Sequence, residues 1–168
     1  MSYRIVKTEP FKVFGLEGIV STAGDARYFP NEGAIWGAFN TGLPNCKYDT
    51  LQDDAGNDKP PFYDDVFVKN MCKVHGMSNY NPIDDTTYGY MLWGFVTPDA
   101  KTDGYKIVEI PASTWVVIVG SVMKNDSQLF WDWLPTSEYK KVDGPDFDMY
   151  GWENDCLYEE LWFSVIKK

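Results

Sequence analysis

Arginine is scarce in this chain of 168 residues, which contains only Arg4 and Arg27. Its 15 Lys and Arg residues are outnumbered by 25 Asp and Glu residues, so the formal net charge is -10. Proteins bind nucleic acids largely by neutralising phosphates with Lys and Arg. Arginine is also the residue that most often forms bidentate hydrogen bonds to phosphates and base edges. The composition therefore disfavours direct binding of nucleic acid.

Cysteine, histidine and long apolar segments are sparse as well. Cys46, Cys72 and Cys156 lie far apart and form no C-x-x-C pair, which argues against a disulfide scaffold or a thiolate zinc site. The single histidine, His75, has no G-x-S-x-G nucleophile motif nearby, and we expect neither a metal nor a cofactor. The longest apolar stretch, 114–122, is shorter than the roughly 20 residues of a membrane span. Because the N-terminal segment has no apolar signal region, we expect a cytoplasmic protein without a membrane partner.

Aromatic residues, in contrast, are abundant, since 7 Trp, 11 Tyr and 10 Phe make up 17% of the chain. Each buried ring removes roughly 150–250 Å² from water, so a folded core uses some of them. Aromatic walls in an acidic protein also suit flat, lipophilic or cationic ligands, through stacking and cation–π contacts. Composition alone leaves a Trp-rich core and an aromatic ligand site equally open.

The chain reads as one domain over 1–168 whose two parts, about 1–100 and 101–168, repeat one order of elements. The stretches that begin at Arg4 and Lys106 each contain Ile-Val, then a proline, an apolar run and a glycine. Each part then predicts a short aromatic helix and two strands. A duplicated unit of this kind leaves a groove between its halves, where ligand sites commonly form.

Local patterns predict the individual elements of this repeat. Helices are expected over 32–40 and 127–134, where apolar residues recur at helical spacing or follow capping residues. The stretch 41–65 is rich in Gly, Pro, Asp and Asn, which predicts a long loop or insertion. Strands are predicted over 3–20, with a break at Pro10, and over 66–80, 86–97, 105–122, 146–150 and 157–166.

Four motifs follow one another in the second half: IPASTWVVIVG from Ile110, WLPTSEY from Trp133, GPDFDMY from Gly144 and YEELWFSVIKK from Tyr158. They resemble the IPA-G-T-aromatic strand, the E-W-L-P-x-S-x-Y helix end, the G-P-D-F-E-x-Y segment and the closing E-I-W-I-P-V strand of the GyrI-like family. This gyrase-inhibitory-protein-like family includes the effector-binding domains of AraC- and MerR-type multidrug regulators. The first half is similar more loosely, through VFGLEG and YMLWGFV.

The resemblance implies an α+β fold of two strand–helix–strand–strand repeats with pseudo-twofold symmetry, forming a curved antiparallel sheet and a central ligand cleft. It also implies that lipophilic, often cationic, aromatic compounds bind in this cleft. The typical acidic group of the family cleft corresponds to Glu160 on the last strand. Because the resemblance fills the chain and the helix-turn-helix of the regulators is absent, we expect a stand-alone binding domain.

Strand alternation independently supports a ligand wall at Glu160. On a strand, Glu160 and Trp162 share one face, whereas Leu161 and Phe163 share the other, apolar face. A carboxylate against aromatic walls is costly to desolvate, and a bound cation offsets this cost. Six further residues are candidate walls, although core packing would explain each equally well: Met91, Trp93, Phe95, Trp115, Trp36 and Phe39.

Three functions remain open at this point. The first is sequestration or sensing of a lipophilic or cationic aromatic compound. The second is hydrolysis of reactive cyclopropane-bearing drugs, which the resemblance implies for some members of the family, with Glu160 as general acid or base. The third is inhibition of a basic protein partner, which a net charge of -10 suits. Binding and hydrolysis would use the same acid-lined cleft, so the sequence does not separate them.

Overall fold

The computed structural model describes residues 3–41, 51–52, 58–59, 75–98, 100–120, 127–153 and 156–168. Within these ranges the strands are β1 (Tyr3–Thr8), β2 (Phe11–Ser21), β3 (Leu51–Gln52), β4 (Asp58–Lys59), β5 (His75–Pro82), β6 (Thr87–Phe95), β7 (Lys106–Ile110), β8 (Ser113–Gly120), β9 (Tyr139–Glu153) and β10 (Cys156–Lys167). The helices in the same ranges are α1 (Glu32–Thr41), α2 (Ser127–Trp133) and a short 3-10 helix (Leu134–Thr136). None of the described helices is long and apolar enough to cross a membrane.

Eight of these strands form one antiparallel sheet in the order β1-β8-β10-β9-β5-β6-β2-β7. The remaining two, β3 and β4, pair with each other. At the centre of the large sheet, β5 pairs with β9 and so joins the strands of the two parts of the chain. At its ends, β1 pairs with β8 and β7 pairs with β2, so each part contributes an edge strand to the other. The predicted α+β class with an antiparallel sheet is confirmed.

Side-chain alternation gives this sheet two different faces. One row of paired residues runs across β10, β9, β5 and β6, through Trp162, Phe147, Met77 and Met91. These side chains belong to a cluster rich in aromatic residues, and we call this side the aromatic face. The adjacent row, through Leu161, Asp148, Gly76 and Leu92, points to the opposite side. Because both helices pack there, we call that side the helix face.

Each helix covers one end of the helix face. Ile35 of α1 packs with Phe14, Tyr90 and Leu92, and it fits closely because a Cβ on Gly18 would lie 2.6 Å from its Cδ1. Phe130 of α2 stacks on Phe163, with ring centroids 4.0 Å apart and planes at 9°. The helices are therefore anchored by apolar contacts to opposite halves of the sheet.

The sequence patterns predicted these elements with one clear error. The strand pattern over 105–122 separates into β7 and β8, and the break at Pro10 separates β1 from β2. The expected start of β9 at Asp146 is wrong, since this strand begins at Tyr139. The Gly-Pro pair at 144–145 lies inside the strand, where an irregularity opposite Phe163–Val165 accommodates it. The strand predicted over 66–74 and almost all of the insertion 41–65 lie outside the described residues.

The stacking of Phe130 on Phe163 should dominate the stability of the α2 end of the sheet. Phe130 is fully buried, so Phe130→Ala should lower the free energy of unfolding by about 3–5 kcal/mol. Its neighbour Leu129 is 40% exposed, and Leu129→Ala should cost less than about 1 kcal/mol. Urea denaturation of both variants measures the difference. Equal losses would show that α2 is not anchored through Phe130.

Candidate functional site

Three carboxylates lie near one another on the helix face, close to the centre of the sheet. Asp148 of β9 is deeply buried, and the negative charges of Glu159 on β10 and Glu32 at the start of α1 act on it. Glu159 is itself buried, at 5% exposure. Asp146, two residues before Asp148 on the same strand, adds a further negative charge, which is paired with Lys141 at 2.9 Å. We call Asp148, Glu159 and Glu32 the acid cluster.

Aromatic side chains surround the acid cluster and hydrogen-bond to it. The hydroxyl of Tyr90 donates to Oδ2 of Asp148 over 3.4 Å and accepts a hydrogen bond from Nε1 of Trp36 at 3.0 Å. The hydroxyl of Tyr88 donates to Oε1 of Glu32 at 3.3 Å. Two tyrosines of β6, one of them bonded to a tryptophan of α1, thus hydrogen-bond to the acids of β9 and α1.

A glycine on β5 makes room for the contact between Tyr90 and Asp148. Gly76 is paired with Asp148, and a Cβ built on Gly76 would lie 2.0 Å from the hydroxyl oxygen of Tyr90. No side chain larger than hydrogen fits there without moving the tyrosine. The glycine is therefore part of how the sheet positions the acid cluster.

Burial, together with the charges of Glu159, Glu32 and Asp146, raises the pKa of Asp148 to about 7, and the hydrogen bond from Tyr90 acts in the opposite direction. Burial also raises the pKa of Glu32, although its hydrogen bond from Tyr88 acts in the other direction. A desolvated carboxylate is stabilised either by keeping its proton or by gaining a cation. The acid cluster is therefore suited chemically to accept a positively charged group.

The predicted pair of Glu160 and Trp162 lies on the aromatic face, and the two side chains are in contact as strand alternation predicted. Nε1 of Trp162 donates to Oε2 of Glu160 at 3.0 Å. Nη2 of Arg4 donates to the same carboxylate and lies 2.8 Å from each of the two carboxylate oxygens. The Arg4 guanidinium lies 5.8 Å from the ring centroid of Trp162. Glu160 is thus already paired with a cation from the chain itself.

The other predicted wall residues fall into three groups. Met91, Trp93 and Trp115 have 0% exposure in the core of the aromatic face, where the two indole rings pack on Phe147 at 4.9 and 4.8 Å between centroids. Phe95 is half-buried and packs edge-on against Trp93 at 5.0 Å. A ligand could reach these four residues only after their side chains had moved. Their role as a ligand wall stays a prediction.

The third group lies on helix α1 and belongs to the helix face. Trp36 is half-buried there and contacts Tyr90, so it is separated from Trp162 by the sheet. The side chain of Phe39 lies outside the described residues. The seven predicted residues whose side chains are described therefore do not form one wall, because strand register and helix placement divide them between two faces.

Sequence reasoning missed Asp148, Glu159, Glu32 and Tyr90. A signal for Asp148 was present in GPDFDMY, where an acid stands between apolar residues at the position that the family motif G-P-D-F-E-x-Y fills with glutamate. Such an acid, two residues from Asp146 on one strand face, predicts a buried carboxylate. Glu32 carried no comparable signal, since its proximity to Asp148 depends on how α1 packs.

A family model described as Cass2, integron-associated effector binding protein, matches residues 4–165. The chain belongs to this family. The resemblance to GyrI-like effector-binding proteins is thereby confirmed for this Cass2-family protein. No curated protein matches its sequence.

Three solved structures show the same fold as this Cass2-family protein. SAV2435 bound to tetraphenylphosphonium has a TM-score of 0.64 at 14% identity, covering 99% of this chain and 94% of that one. The integron cassette protein VCH_CASS2 of Vibrio cholerae has a TM-score of 0.55 at 14% identity, covering 98% and 95%. The EcmrR C-terminal domain has a TM-score of 0.56 at 13% identity, covering 99% and 98%. At such low identity these likenesses show the fold alone.

The raised pKa of Asp148 makes stability depend on pH in a predictable direction. Its folded value of about 7 lies above its usual value of 3.8, so the folded state binds more protons between these values. The free energy of unfolding should therefore fall as the pH rises from about 4 to about 7, by on the order of 2–4 kcal/mol from this group. Asp148→Asn should remove that part of the pH dependence.

Urea denaturation of both proteins at pH 5 and pH 8 measures this difference. Asp85 is exposed, and Asp85→Asn provides a matched control that should keep the wild-type pH dependence. If Asp148→Asn and the wild type lose the same stability between the two pH values, the carboxyl of Asp148 does not titrate as described.

Proposed function

We propose that this Cass2-family protein binds lipophilic aromatic cations at the acid cluster, in order to sequester or sense them. The observation that carries the proposal is the charge around Asp148, where Glu159 and Glu32 act as negative groups on a buried carboxyl. Bringing these carboxylates together out of water is unfavourable. A bound organic cation would offset that cost and would be favoured over a neutral compound of the same shape.

The aromatic residues at the acid cluster support a ligand with rings as well as charge. Tyr90, Tyr88 and Trp36 place electron-rich rings beside the carboxylates. Aromatic faces attract cations and stack on flat ligands. Acid and aromatic groups together thus match a hydrophobic cation better than a small hydrated ion.

The comparisons support the same ligand class. The family is described as effector binding, and SAV2435, which shares the fold, was solved with tetraphenylphosphonium, a cation that carries four phenyl rings. Small-molecule binding agrees with the family description, and the extension to lipophilic cations in this chain is our proposal.

We further propose that the two parts of the chain are structural repeats with pseudo-twofold symmetry and that the ligand cleft lies between them. The strand order supports this, since exchanging β1, β2, β5 and β6 with β7, β8, β9 and β10 reverses the sheet order. The symmetry axis would then pass between β5 and β9. Asp148 lies in that central pair, opposite Gly76, which supports a position of the acid cluster at the junction of the proposed repeats.

The predicted wall of Glu160, Trp162, Met91, Trp93, Phe95 and Trp115 would place the ligand on the opposite face of the sheet. This placement needs Arg4 to leave Glu160. At the acid cluster, where Asp148 and Glu159 are also buried, a cation would take the place of the proton on Asp148. We therefore favour the acid cluster, and Glu160→Gln serves as the variant that separates the two faces.

Titration with tetraphenylphosphonium, followed by tryptophan fluorescence, tests the proposal. We expect binding at micromolar concentrations, and Asp148→Asn should weaken it at least about tenfold, since it removes the charge that a buried cation would meet. Asp85→Asn and Glu160→Gln should bind as the wild type does. A wild type that does not bind would overturn the function, whereas a loss confined to Glu160→Gln would move the site to the aromatic face.

Hydrolysis is a second candidate, favoured by the pKa of about 7 at Asp148 and by the adjacent Tyr90 hydroxyl. A carboxyl with a pKa near neutrality is well matched to general acid–base catalysis. Incubation with a cyclopropane-bearing electrophile, followed by product analysis, should yield a hydrolysed product in the wild type and at least about tenfold less in Asp148→Asn. Unchanged compound in the wild type would leave binding as the function.

A further inference from the structure

The surroundings of the Arg4 guanidinium have the chemistry of a binding site for an organic cation. Nη2 of Arg4 lies 2.8 Å from both carboxylate oxygens of Glu160, and the guanidinium is 5.8 Å from the ring centroid of Trp162. The indole itself donates a hydrogen bond to the same carboxylate at 3.0 Å. Carboxylate pairing combined with an aromatic face is the usual way in which proteins recognise guanidinium and related cations.

Glu160 and Trp162, which would accept a cation, are already in contact with each other, and Arg4 is the more exposed partner. The side chain of Glu160 is 16% exposed and that of Arg4 is 47% exposed. Glu160 and Trp162 lie on β10, which is paired on both sides, whereas Arg4 lies on the edge strand β1. Arg4 reaches Glu160 across β8, because the register pairs Arg4 with Val117 and Val117 with Trp162.

A comparable contact at the other end of the sheet helps to show what is particular about Arg4. Lys106 of the opposite edge strand lies 2.6 Å from Oε2 of Glu17 and 5.3 Å from the ring centroid of Tyr80. Glu17 also accepts hydrogen bonds from the Tyr80 hydroxyl and, at 2.8 Å, from Asn81. The same oxygen of Glu17 is thus shared by three donors, whereas Arg4 alone spans both oxygens of Glu160.

We infer that Arg4 is the resident cation of a second organic-cation site, formed by Glu160 and Trp162, and that it keeps this site closed to cations from solution. Arg4 thereby determines specificity, because it directs cationic ligands to the acid cluster on the helix face. The claim that ligands are directed to the acid cluster rests on the proposed function. The site itself follows from the contacts of Arg4. Removing the guanidinium while keeping Glu160 should open the site.

The test uses Arg4→Met, which removes the charge and keeps an unbranched apolar side chain near Trp162, with phenylguanidinium as the probe. Titrations are made in proteins that also carry Asp148→Asn, so that binding at the acid cluster does not contribute. Isothermal titration calorimetry should show at least about tenfold tighter binding in Arg4→Met/Asp148→Asn than in Asp148→Asn alone, since a carboxylate and an indole become available. Adding Glu160→Gln should abolish this gain.

Lys106→Met is the matched control, since it removes the same charge from the opposite edge strand and should produce no comparable gain. In proteins that also carry Asp148→Asn, the probe should raise the melting temperature of Arg4→Met, but not that of Arg4→Met/Glu160→Gln. The inference is overturned if Arg4→Met binds no better, if the gain survives Glu160→Gln, or if Lys106→Met produces it equally. If Arg4→Met does not fold, Arg4→Gln replaces it with the same expected results.

The outcomes also separate this inference from the proposed function. Tighter phenylguanidinium binding in Arg4→Met/Asp148→Asn supports the closed site even if wild-type protein fails to bind tetraphenylphosphonium. Conversely, normal binding of tetraphenylphosphonium by the wild type, together with no gain on removing Arg4, would support the acid cluster and overturn the role of Arg4.

Discussion

The pairing of β5 with β9 is the constraint on which the rest of the structure depends, since it joins the strands of both parts of the chain into one sheet. It places Met77 opposite Phe147 on the aromatic face and Gly76 opposite Asp148 on the helix face. The glycine is needed because any side chain there would collide with the hydroxyl of Tyr90. One strand pair thus sets both the centre of the apolar core and the position of the buried acid.

The position of each carboxylate in the sheet decides how its charge is balanced. The edge strands β1 and β7 carry Arg4 and Lys106, which reach inward to Glu160 and Glu17 near the two ends. Asp148 lies in the central pair, where burial and neighbouring carboxylates raise its pKa to about 7. Near the ends, cations of the chain neutralise the acids. In the central pair, Lys141 does so for Asp146 at 2.9 Å, whereas burial favours the protonated form of Asp148.

The predicted contact between side chains two positions apart on one strand was correct. Contacts between residues far apart in the sequence could not be predicted. Trp162 contacts Glu160 as expected, because residues two apart share a strand face. Arg4 is 156 positions from Glu160 in the sequence, and no local pattern predicts that they meet. For the same reason Trp36 was grouped with Trp162, although the sheet separates them. A basic protein partner and a cytoplasmic location stay predictions.

The sequence by itself determined the α+β class, the membership of an effector-binding family and the wealth of acids and rings, because these depend on composition, local periodicity and motifs. Only the tertiary structure decided how each acid and ring is used. It buried Trp93 and Trp115 in the core, paired Glu160 with Arg4 and brought Asp148, Glu159 and Glu32 together. The physical reason is that strand register and helix packing are set by contacts between distant segments, which decide both burial and the nearest opposite charge.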